Sequence, residues 1–153
     1  MTQEKLMKDR MIRAIVLFVI TLIALLVFIG LYIDETHKVQ ETYRTQFNAY
    51  LEDTSDSINS YLTAEGDFPL RYRRILSGMS SANSFGFLLT NLTDEQKRTL
   101  NELQTCVMKY PDQMQEKQNL EAMLTAVTDI RQSLDKGFDE AADLVASIDK
   151  KGS

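Results

Sequence analysis

A run of 20 residues without a charged side chain, residues 14–33, constrains the fold of this chain more than any other feature. As a helix, at roughly 1.5 Å per residue, the run spans the roughly 30 Å hydrocarbon core of a bilayer. A helix satisfies its own backbone hydrogen bonds there. A soluble core helix of this length would show a polar face, and a cleaved signal peptide would have a shorter apolar core. The run therefore predicts an uncleaved signal anchor that crosses the membrane once.

The charges that flank the run predict its orientation. Four basic residues precede it, namely Lys5, Lys8, Arg10 and Arg13. The next 15 residues after it contain two, namely Lys38 and Arg44. Since the more basic flank stays in the cytoplasm, we expect a single-pass protein of the cell membrane. Its parts are a cytoplasmic tail (residues 1–13), a transmembrane helix (residues 14–33) and an extracytoplasmic domain (residues 34–153).

The composition of the outer domain excludes several classes of function. It holds 13 Lys and Arg against 20 Asp and Glu, a net charge of -7, which argues against a nucleic-acid partner because such proteins need a basic face. The single cysteine, Cys106, excludes a disulfide framework and a cysteine-based zinc site within one chain. The single histidine, His37, leaves no histidine pair for a catalytic metal. No hydrolase, metalloprotease or P-loop motif is present, so we expect no cofactor, no metal and no catalysis.

The apolar residues after the run recur at steps of three or four, which predicts helices. The first helix continues from the membrane run to about Ala64, because the first strong stop signals are Gly66 and Pro69. Its apolar stripe is interpreted as core, or alternatively as one wall of a ligand-lined groove between helices. The stripe comprises Val39, Tyr43, Phe47, Tyr50, Ile58, Tyr61 and Leu62.

Two further helices follow. In the second, residues 77–86 are poor in helix formers, and the sequence leaves open whether they are helix or loop. Gly78, Ala82 and Gly86 nevertheless fall on one face, where small residues would let another helix approach closely. The third helix begins with a capping box formed by Thr93 and Gln96, and it ends near residue 111, a proline.

The fourth predicted helix covers residues 112–150 and carries a heptad seam over about four repeats. The seam comprises Leu120, Leu124, Val127, Arg131, Leu134, Phe138, Ala141, Val145 and Ile148. Arg131 is a polar register device or the edge of the face, and Gly137 is a candidate kink. Short links between helices imply antiparallel neighbours, with Lys150 and Lys151 near the lipid headgroups. The predicted fold is therefore all-α: one N-terminal transmembrane helix that continues into an extracytoplasmic antiparallel four-helix bundle.

Three arginines, Arg71, Arg73 and Arg74, form the densest basic cluster. Arginine at the start of a helix opposes the helix dipole, so helix stability does not explain the cluster. One interpretation is a contact with an anion or an acidic partner, since arginine binds carboxylate and phosphate with two hydrogen bonds. The other is a solvated face paired with Glu65 or Asp67. Cys106 is either buried and inert or an intermolecular disulfide residue, and His37 is either an exposed polar residue or a pH sensor.

The layout resembles, in topology only, the four-helix-bundle sensory ectodomains of bacterial chemoreceptors and some sensor kinases. The resemblance covers roughly residues 14–148 and rests on no sequence motif. Those receptors re-enter the membrane and carry a cytoplasmic output module, so a sensor built like this chain would report through a partner, or the chain is part of a longer receptor. The plan of short inner tail, one span and outer helix is also similar to that of small division-complex proteins.

Two functions follow as expectations. The first is a non-catalytic, membrane-anchored interaction or sensing module that binds a partner protein or a small-molecule ligand. The alternative is a structural or assembly subunit of a membrane complex that forms homo-oligomers through its heptad seam. The lipid bilayer is an expected partner of both, and nucleic acid of neither.

Overall fold

The computed structural model describes residues 3–148, apart from the side chains of residues 4–6. Within that range the chain is helical and contains no strand, which confirms the all-α prediction. The helices are α1 (Gln3–Thr63), α2 (Phe68–Leu88), α3 (Asp94–Lys109), α4 (Pro111–Met114), α5 (Lys117–Gln132) and α6 (Phe138–Ser147). The chain divides into two compact units, Met1–Val39 and Gln40–Ser153.

The first unit is the N-terminal part of α1. Its large apolar side chains are exposed on every side of the helix; Leu17 and Phe28, for example, are 68% and 71% exposed. The polar hydroxyl of Thr21 donates to the carbonyl of Leu17 at 2.8 Å, so it is satisfied within the helix. By length and composition, α1 is the one helix in the described part of the chain that could cross a membrane. The continuation of this helix to about Ala64 is also confirmed, since α1 ends at Thr63.

The second unit has an apolar core to which the C-terminal part of α1 and all the later helices contribute. The largest side chains with no more than about one per cent exposure are Phe47, Leu51, Ile58, Ile75, Met79, Leu89, Leu100, Leu103, Met114, Leu120, Met123 and Ile130. The apolar stripe of the first helix therefore supplies core residues. Leu51 belongs to this core although it was not among the predicted stripe residues.

Small residues bring α2 close to α1. A Cβ atom on Gly78 would lie 2.5 Å from Thr54 Oγ1 and 3.4 Å from Thr54 Cα. A Cβ atom on Gly86 would lie 2.9 Å from Leu100 Cδ1 and 3.2 Å from Phe47 Cε2. Residues 77–86, left open by the sequence, are helical. The close packing of their small residues explains why tertiary contacts override a weak helix propensity.

Helix α3 begins and ends on side-chain hydrogen bonds. The predicted capping box is confirmed: Gln96 N donates to Thr93 Oγ1 at 3.2 Å, and Thr93 N donates to Gln96 Oε1 at 2.9 Å. At the other end, the carbonyl of Val107 would accept from residue 111 in a continuing helix, but Pro111 has no N–H. The Tyr72 hydroxyl donates to this carbonyl at 2.7 Å instead. A side chain of α2 thus satisfies the terminus of α3.

The prediction of one helix over residues 112–150 is wrong. The segment forms α4, α5 and α6, with residues 133–137 between the last two. Gly137 adopts a positive φ of 81°, and a Cβ atom there would lie 2.5 Å from the carbonyl oxygen of Ala126. The chain therefore folds back on α5 at this point, through a turn that only glycine fits. The predicted continuation to Lys150, and the placement of Lys150 and Lys151, lie outside the described residues.

The residues of the predicted heptad seam are distributed over α5, the link that follows it, and α6 with its C-terminal cap, so they do not form one helical stripe. Most of them are buried in the core of the second unit, namely Leu120, Val127, Phe138, Ala141, Val145 and Ile148. Leu124 and Leu134 are half-buried and pack against the same core. The seam residues are therefore used inside the unit. The period of the seam persisted across the turn because residues on both sides of it point into one core.

Candidate functional site

A polar groove of about 450 Å³ lies between the C-terminal part of α1 and the first half of α2. One wall comes from α1 and carries residues at helical spacing, which places them on one face. The other wall comes from α2 and carries every third residue. The lining residues are Asp53, Asp56, Ser57, Ser60, Arg71, Arg74 and Ser77. We call these seven residues the α1–α2 groove.

Arg71 is held in the groove by neutral oxygen atoms. Its Nε donates to the carbonyl of Gly66 at 3.1 Å, and its Nη1 donates to the carbonyl and the hydroxyl of Ser60. The expected pairing with Glu65 or Asp67 is not formed, and among the described residues Arg71 has no ion pair with any carboxylate. The guanidinium is therefore fixed in direction while its charge is not neutralised by the protein.

The structure separates the three arginines of the predicted cluster. Arg74 follows Arg71 by three residues on the same face of α2 and lines the groove, whereas Arg73 is exposed and does not line it. Within the described part of the chain, Arg74 forms no ion pair or hydrogen bond. The groove thus receives two of the three positive charges.

Serine hydroxyls lie beside these charges. Ser57 is only 8% exposed, yet it lines the groove, and its hydroxyl has no hydrogen-bond partner among the described residues. In this position the hydroxyl can bond only to something that occupies the groove, whether water or ligand.

The α1 wall also carries two carboxylates, Asp53 and Asp56, which sequence reasoning missed. Both are exposed, and neither is ion-paired within the described residues. One wall of the groove is therefore negative and the other positive. The signal was present in the sequence as polar residues at i, i+3, i+4 and i+7 from Asp53, opposite the apolar stripe. The sequence alone could not show that this polar face of α1 lies opposite the arginines of α2, because that depends on how the two helices pack.

Aromatic side chains close the end of the α1–α2 pairing nearest Gly66. The ring centroid of Tyr61 lies 5.2 Å from that of Phe68 and 6.3 Å from that of Tyr72. Burial raises the pKa of Tyr72 well above its ordinary value, and Tyr61, Asp112 and Cys106 raise it further. Burial also raises the pKa of Tyr61. Both hydroxyls therefore stay protonated at neutral pH and act as hydrogen-bond donors.

The other predicted aromatic residues are used in packing. Tyr50 stacks on Phe85 with ring centroids 5.5 Å apart, and Tyr43 lies 6.2 Å from the same ring. None of the described cavities is lined by Tyr43, Phe47, Tyr50 or Tyr61. This arrangement agrees with the core interpretation of the stripe and not with the ligand-groove interpretation.

Two further cavities have a different chemistry. One, of about 440 Å³, lies between the start of α3 and the α5–α6 turn, and its charged residues are mostly acidic: Glu95, Asp129, Asp135, Asp139 and Glu140, with Lys136. No group of metal-ligating side chains with suitable geometry is present among the described residues. The other is bounded by the ion pair of Arg131 Nη1 with Glu52 Oε1 at 2.9 Å. Arg131 is thus at the edge of the face and contacts α1.

Cys106 is buried, as one of its two interpretations predicts, whereas His37 is exposed. Cys106 is 1% exposed in α3, and His37 is exposed on α1. No family model, curated protein or solved structure matches the chain.

Proposed function

We propose that this protein is a single-pass, membrane-anchored helical module that acts by binding and without catalysis. In this proposal residues 14–33 cross the cell membrane, residues 1–13 face the cytoplasm and the second unit lies outside. The second unit works as an antiparallel bundle in which the α5–α6 hairpin takes the place of a fourth helix. A partner protein or a small ligand binds to the bundle.

The observation that carries the proposal is the change of character along α1. Around residues 14–33 the helix is apolar on every side and its side chains are exposed. From Phe47 onwards the same helix buries one face in the core of the second unit and exposes acidic residues on the other. An all-round apolar surface needs lipid or protein to cover it. The second part of α1, by contrast, has a polar face that is suited to contact with water. The excess of basic residues before the run supports the orientation.

The test places a reporter on each end of the full-length chain in bacterial cells. An enzyme that is active only outside the cytoplasm, fused after Ser153, is expected to be active, and the same enzyme at the N-terminus inactive. The chain should also stay with the membrane fraction after alkaline extraction. A cytoplasmic C-terminus, or release into the soluble fraction, would contradict the proposal.

A matched variant checks whether the flanking charges set the orientation. Replacement of Lys8, Arg10 and Arg13 by glutamine lowers the basic bias before the run, while the same replacement of Lys97, Arg98 and Lys109 leaves it intact. We expect a mixed orientation from the first variant only. Equal reporter activity in both would argue against an orientation set by charge.

The assembly subunit remains the second candidate, with a changed surface. The proposed heptad seam is an unsuitable contact because Leu120 and Val127 are fully buried in the core of their own unit. Phe87 and Leu88, at the end of α2, are about half exposed and offer a different apolar surface. Sedimentation of the full chain in detergent distinguishes the candidates. A dimer or larger species that persists on dilution favours assembly, and a monomer favours a binding module.

A further inference from the structure

We propose that the α1–α2 groove binds a small dipolar molecule, with its anionic group at Arg71 and Arg74 and its cationic group at Asp53 and Asp56. This inference deepens the proposed function, on which it rests, by naming a binding site and the class of ligand.

The anionic end is defined by two guanidinium groups with donors to spare. Arg71 uses Nε and Nη1 on Gly66 and Ser60, while Nη2 has no partner among the described residues. Arg74 adds its whole guanidinium from the same face of α2. Arginine presents paired N–H groups that match a carboxylate or a phosphate. Because neutral oxygens already fix Arg71, little side-chain freedom is lost when an anion binds.

Serine hydroxyls supply the neutral hydrogen bonds that such a site needs. Ser57 is 8% exposed and lines the groove, and its hydroxyl has no hydrogen-bond partner within residues 3–148. Ser77 lies on the α2 wall, three residues after Arg74. An acceptor on the ligand would give the Ser57 hydroxyl a hydrogen-bond partner that the described part of the protein does not supply.

The two carboxylates select against a simple anion. Asp53 and Asp56 lie on the α1 wall of the same groove, and the chain after residue 33 has a net charge of -7. The resulting potential repels a small anion that carries no positive charge of its own. The opposite charges of the two walls are not ion-paired with each other in the described structure. A ligand with one charge of each sign can pair with both walls at once.

The volume of the groove sets the size class. At about 450 Å³ it falls within the range of small-molecule sites, roughly 300–1,000 Å³. The groove is open to solvent, and its volume matches a small organic molecule.

The experiment titrates probes into the full-length chain in lipid nanodiscs and follows heat and thermal unfolding. The dipolar probes are glycine, β-alanine and γ-aminobutyrate, in which the carbon chain between ammonium and carboxylate lengthens stepwise. The single-charge controls are propanoate and propylamine. At least one dipolar probe is expected to bind and to raise the melting temperature, because a ligand that binds only the folded state stabilises it. Binding by none of them, or equally tight binding of propanoate, would overturn the proposal.

Neighbouring arginines provide a matched pair of variants. Arg74→Gln is expected to weaken binding about tenfold or more, since a hydrogen bond between charged groups is lost. Arg73→Gln, which alters an exposed neighbour outside the groove, should leave the affinity unchanged. Ser57→Ala should weaken binding by a smaller factor. Equal effects of the Arg73 and Arg74 variants would place the ligand elsewhere and overturn the inference.

A double variant that removes both negative charges from the groove tests the binding of the ligand's cationic group. Asp53→Asn with Asp56→Asn should weaken the binding of the dipolar probe, because its ammonium group loses its partners. The same variant should strengthen the binding of propanoate, because the repulsion of simple anions is removed. Both side chains are exposed, so the folded state is expected to persist, and an unchanged melting temperature without ligand checks this. A double variant that binds the dipolar probe as tightly as the original chain would overturn the assignment of the cationic end.

The outcomes also separate this inference from the proposed function. The fusion and extraction assays measure anchoring and orientation without any ligand. An anchored, correctly oriented chain that binds no probe contradicts the inference alone. A chain that binds a probe but is released from the membrane contradicts the proposed function alone.

Discussion

The two parts of α1 have the same backbone conformation and opposite relations to their surroundings. In residues 14–33 every face is apolar, and no charge interrupts it. In residues 40–63 the face that contains Phe47, Leu51 and Ile58 is fully buried, while the face that contains Asp53 and Asp56 is exposed. The first pattern suits a helix covered by lipid, and the second suits a helix that is packed on one side and wet on the other. Helix formation thus says little about function here, whereas the angular distribution of polarity says much.

Glycines show the same difference between an exposed apolar surface and a packed one. A Cβ atom on Gly30, in the first part of α1, would meet nothing within 4 Å. A Cβ atom on Gly78 of α2 would meet Thr54, in the second part of α1, at 2.5 Å. A glycine in the first part is free to change, while the second part depends on glycine in the helix that packs against it.

The largest expected effect comes from truncating a core residue in the second part of α1. Leu51 is fully buried, so Leu51→Ala should lower the free energy of unfolding by about 2–5 kcal/mol. Leu25→Ala makes the same chemical change at a side chain that is 55% exposed in the apolar run, and it should leave the stability of the second unit unchanged. Urea unfolding of the full chain in micelles, followed by tyrosine fluorescence, measures both. Equal losses would mean that the two parts of α1 do not differ as described.

A pair of glycine substitutions gives the next largest effect. Gly78→Ala should cost about 1–3 kcal/mol, because the new methyl group overlaps Thr54 Oγ1. The Thr54 hydroxyl cannot turn away without losing its 2.7 Å bond to the carbonyl of Tyr50. Gly30→Ala should favour the helix by up to about 1 kcal/mol and leave the second unit unaffected. The same unfolding assay applies, and a stabilised Gly78→Ala protein would contradict the close approach of α1 and α2.

Removal of the Tyr72 hydroxyl tests how the apolar run and the second unit satisfy the hydrogen bonds of their backbone carbonyls. In the apolar run the carbonyls are bonded within the helix, whereas Val107 depends on Tyr72 because Pro111 has no N–H. Tyr72→Phe should therefore cost about 1–2 kcal/mol at neutral pH. Tyr43→Phe serves as the control, since its hydroxyl makes no hydrogen bond within the described residues.

The same residue gives the second unit a dependence on alkaline pH. Burial raises the pKa of Tyr72 in the folded state above its ordinary value of 10.0. The folded state therefore favours the protonated form. Its contribution to stability is fully present below pH 10.0 and is lost as the pH rises through the folded-state pKa. Tyr72→Phe should lose less stability than the original chain above about pH 10, and an identical alkaline loss in both proteins would assign it to other groups.

Sequence patterns predicted those elements whose signals are local or long. The long apolar helix over residues 14–33 needed only the absence of charge over 20 residues. The start of α3 needed only Thr93 and Gln96, whose reciprocal hydrogen bonds are both present. Residues 77–86 could not be assigned, because their helix depends on the contact of Gly78 with Thr54. Such a contact has no local signal in the sequence.

The heptad pattern failed for a different reason. Periodicity records which residues face a core, and both α5 and α6 face the same core. A turn that preserves the spacing of core residues is therefore invisible to it. Gly137 was predicted as a kink within one helix, but it follows Asp135 and Lys136 in a turn between two helices and has a positive φ. Two residues of the groove, Arg71 and Arg74, stood out in the sequence as part of a basic cluster, while its aspartates were two acidic residues among many.

The smallest expected effect concerns Arg131, the charged residue in the predicted seam. Its ion pair with Glu52 links α5 to the wet face of α1, and the two side chains are 35% and 61% exposed. Solvent screening limits such pairs, so a double-mutant cycle with Arg131→Gln and Glu52→Gln should give a coupling of about 0.2–1 kcal/mol. The coupling should fall further as salt is raised, since exposed charges are screened. A larger coupling that is insensitive to salt would show that this face of α1 is covered, and the contrast between an exposed acidic face and a buried apolar one would then need revision.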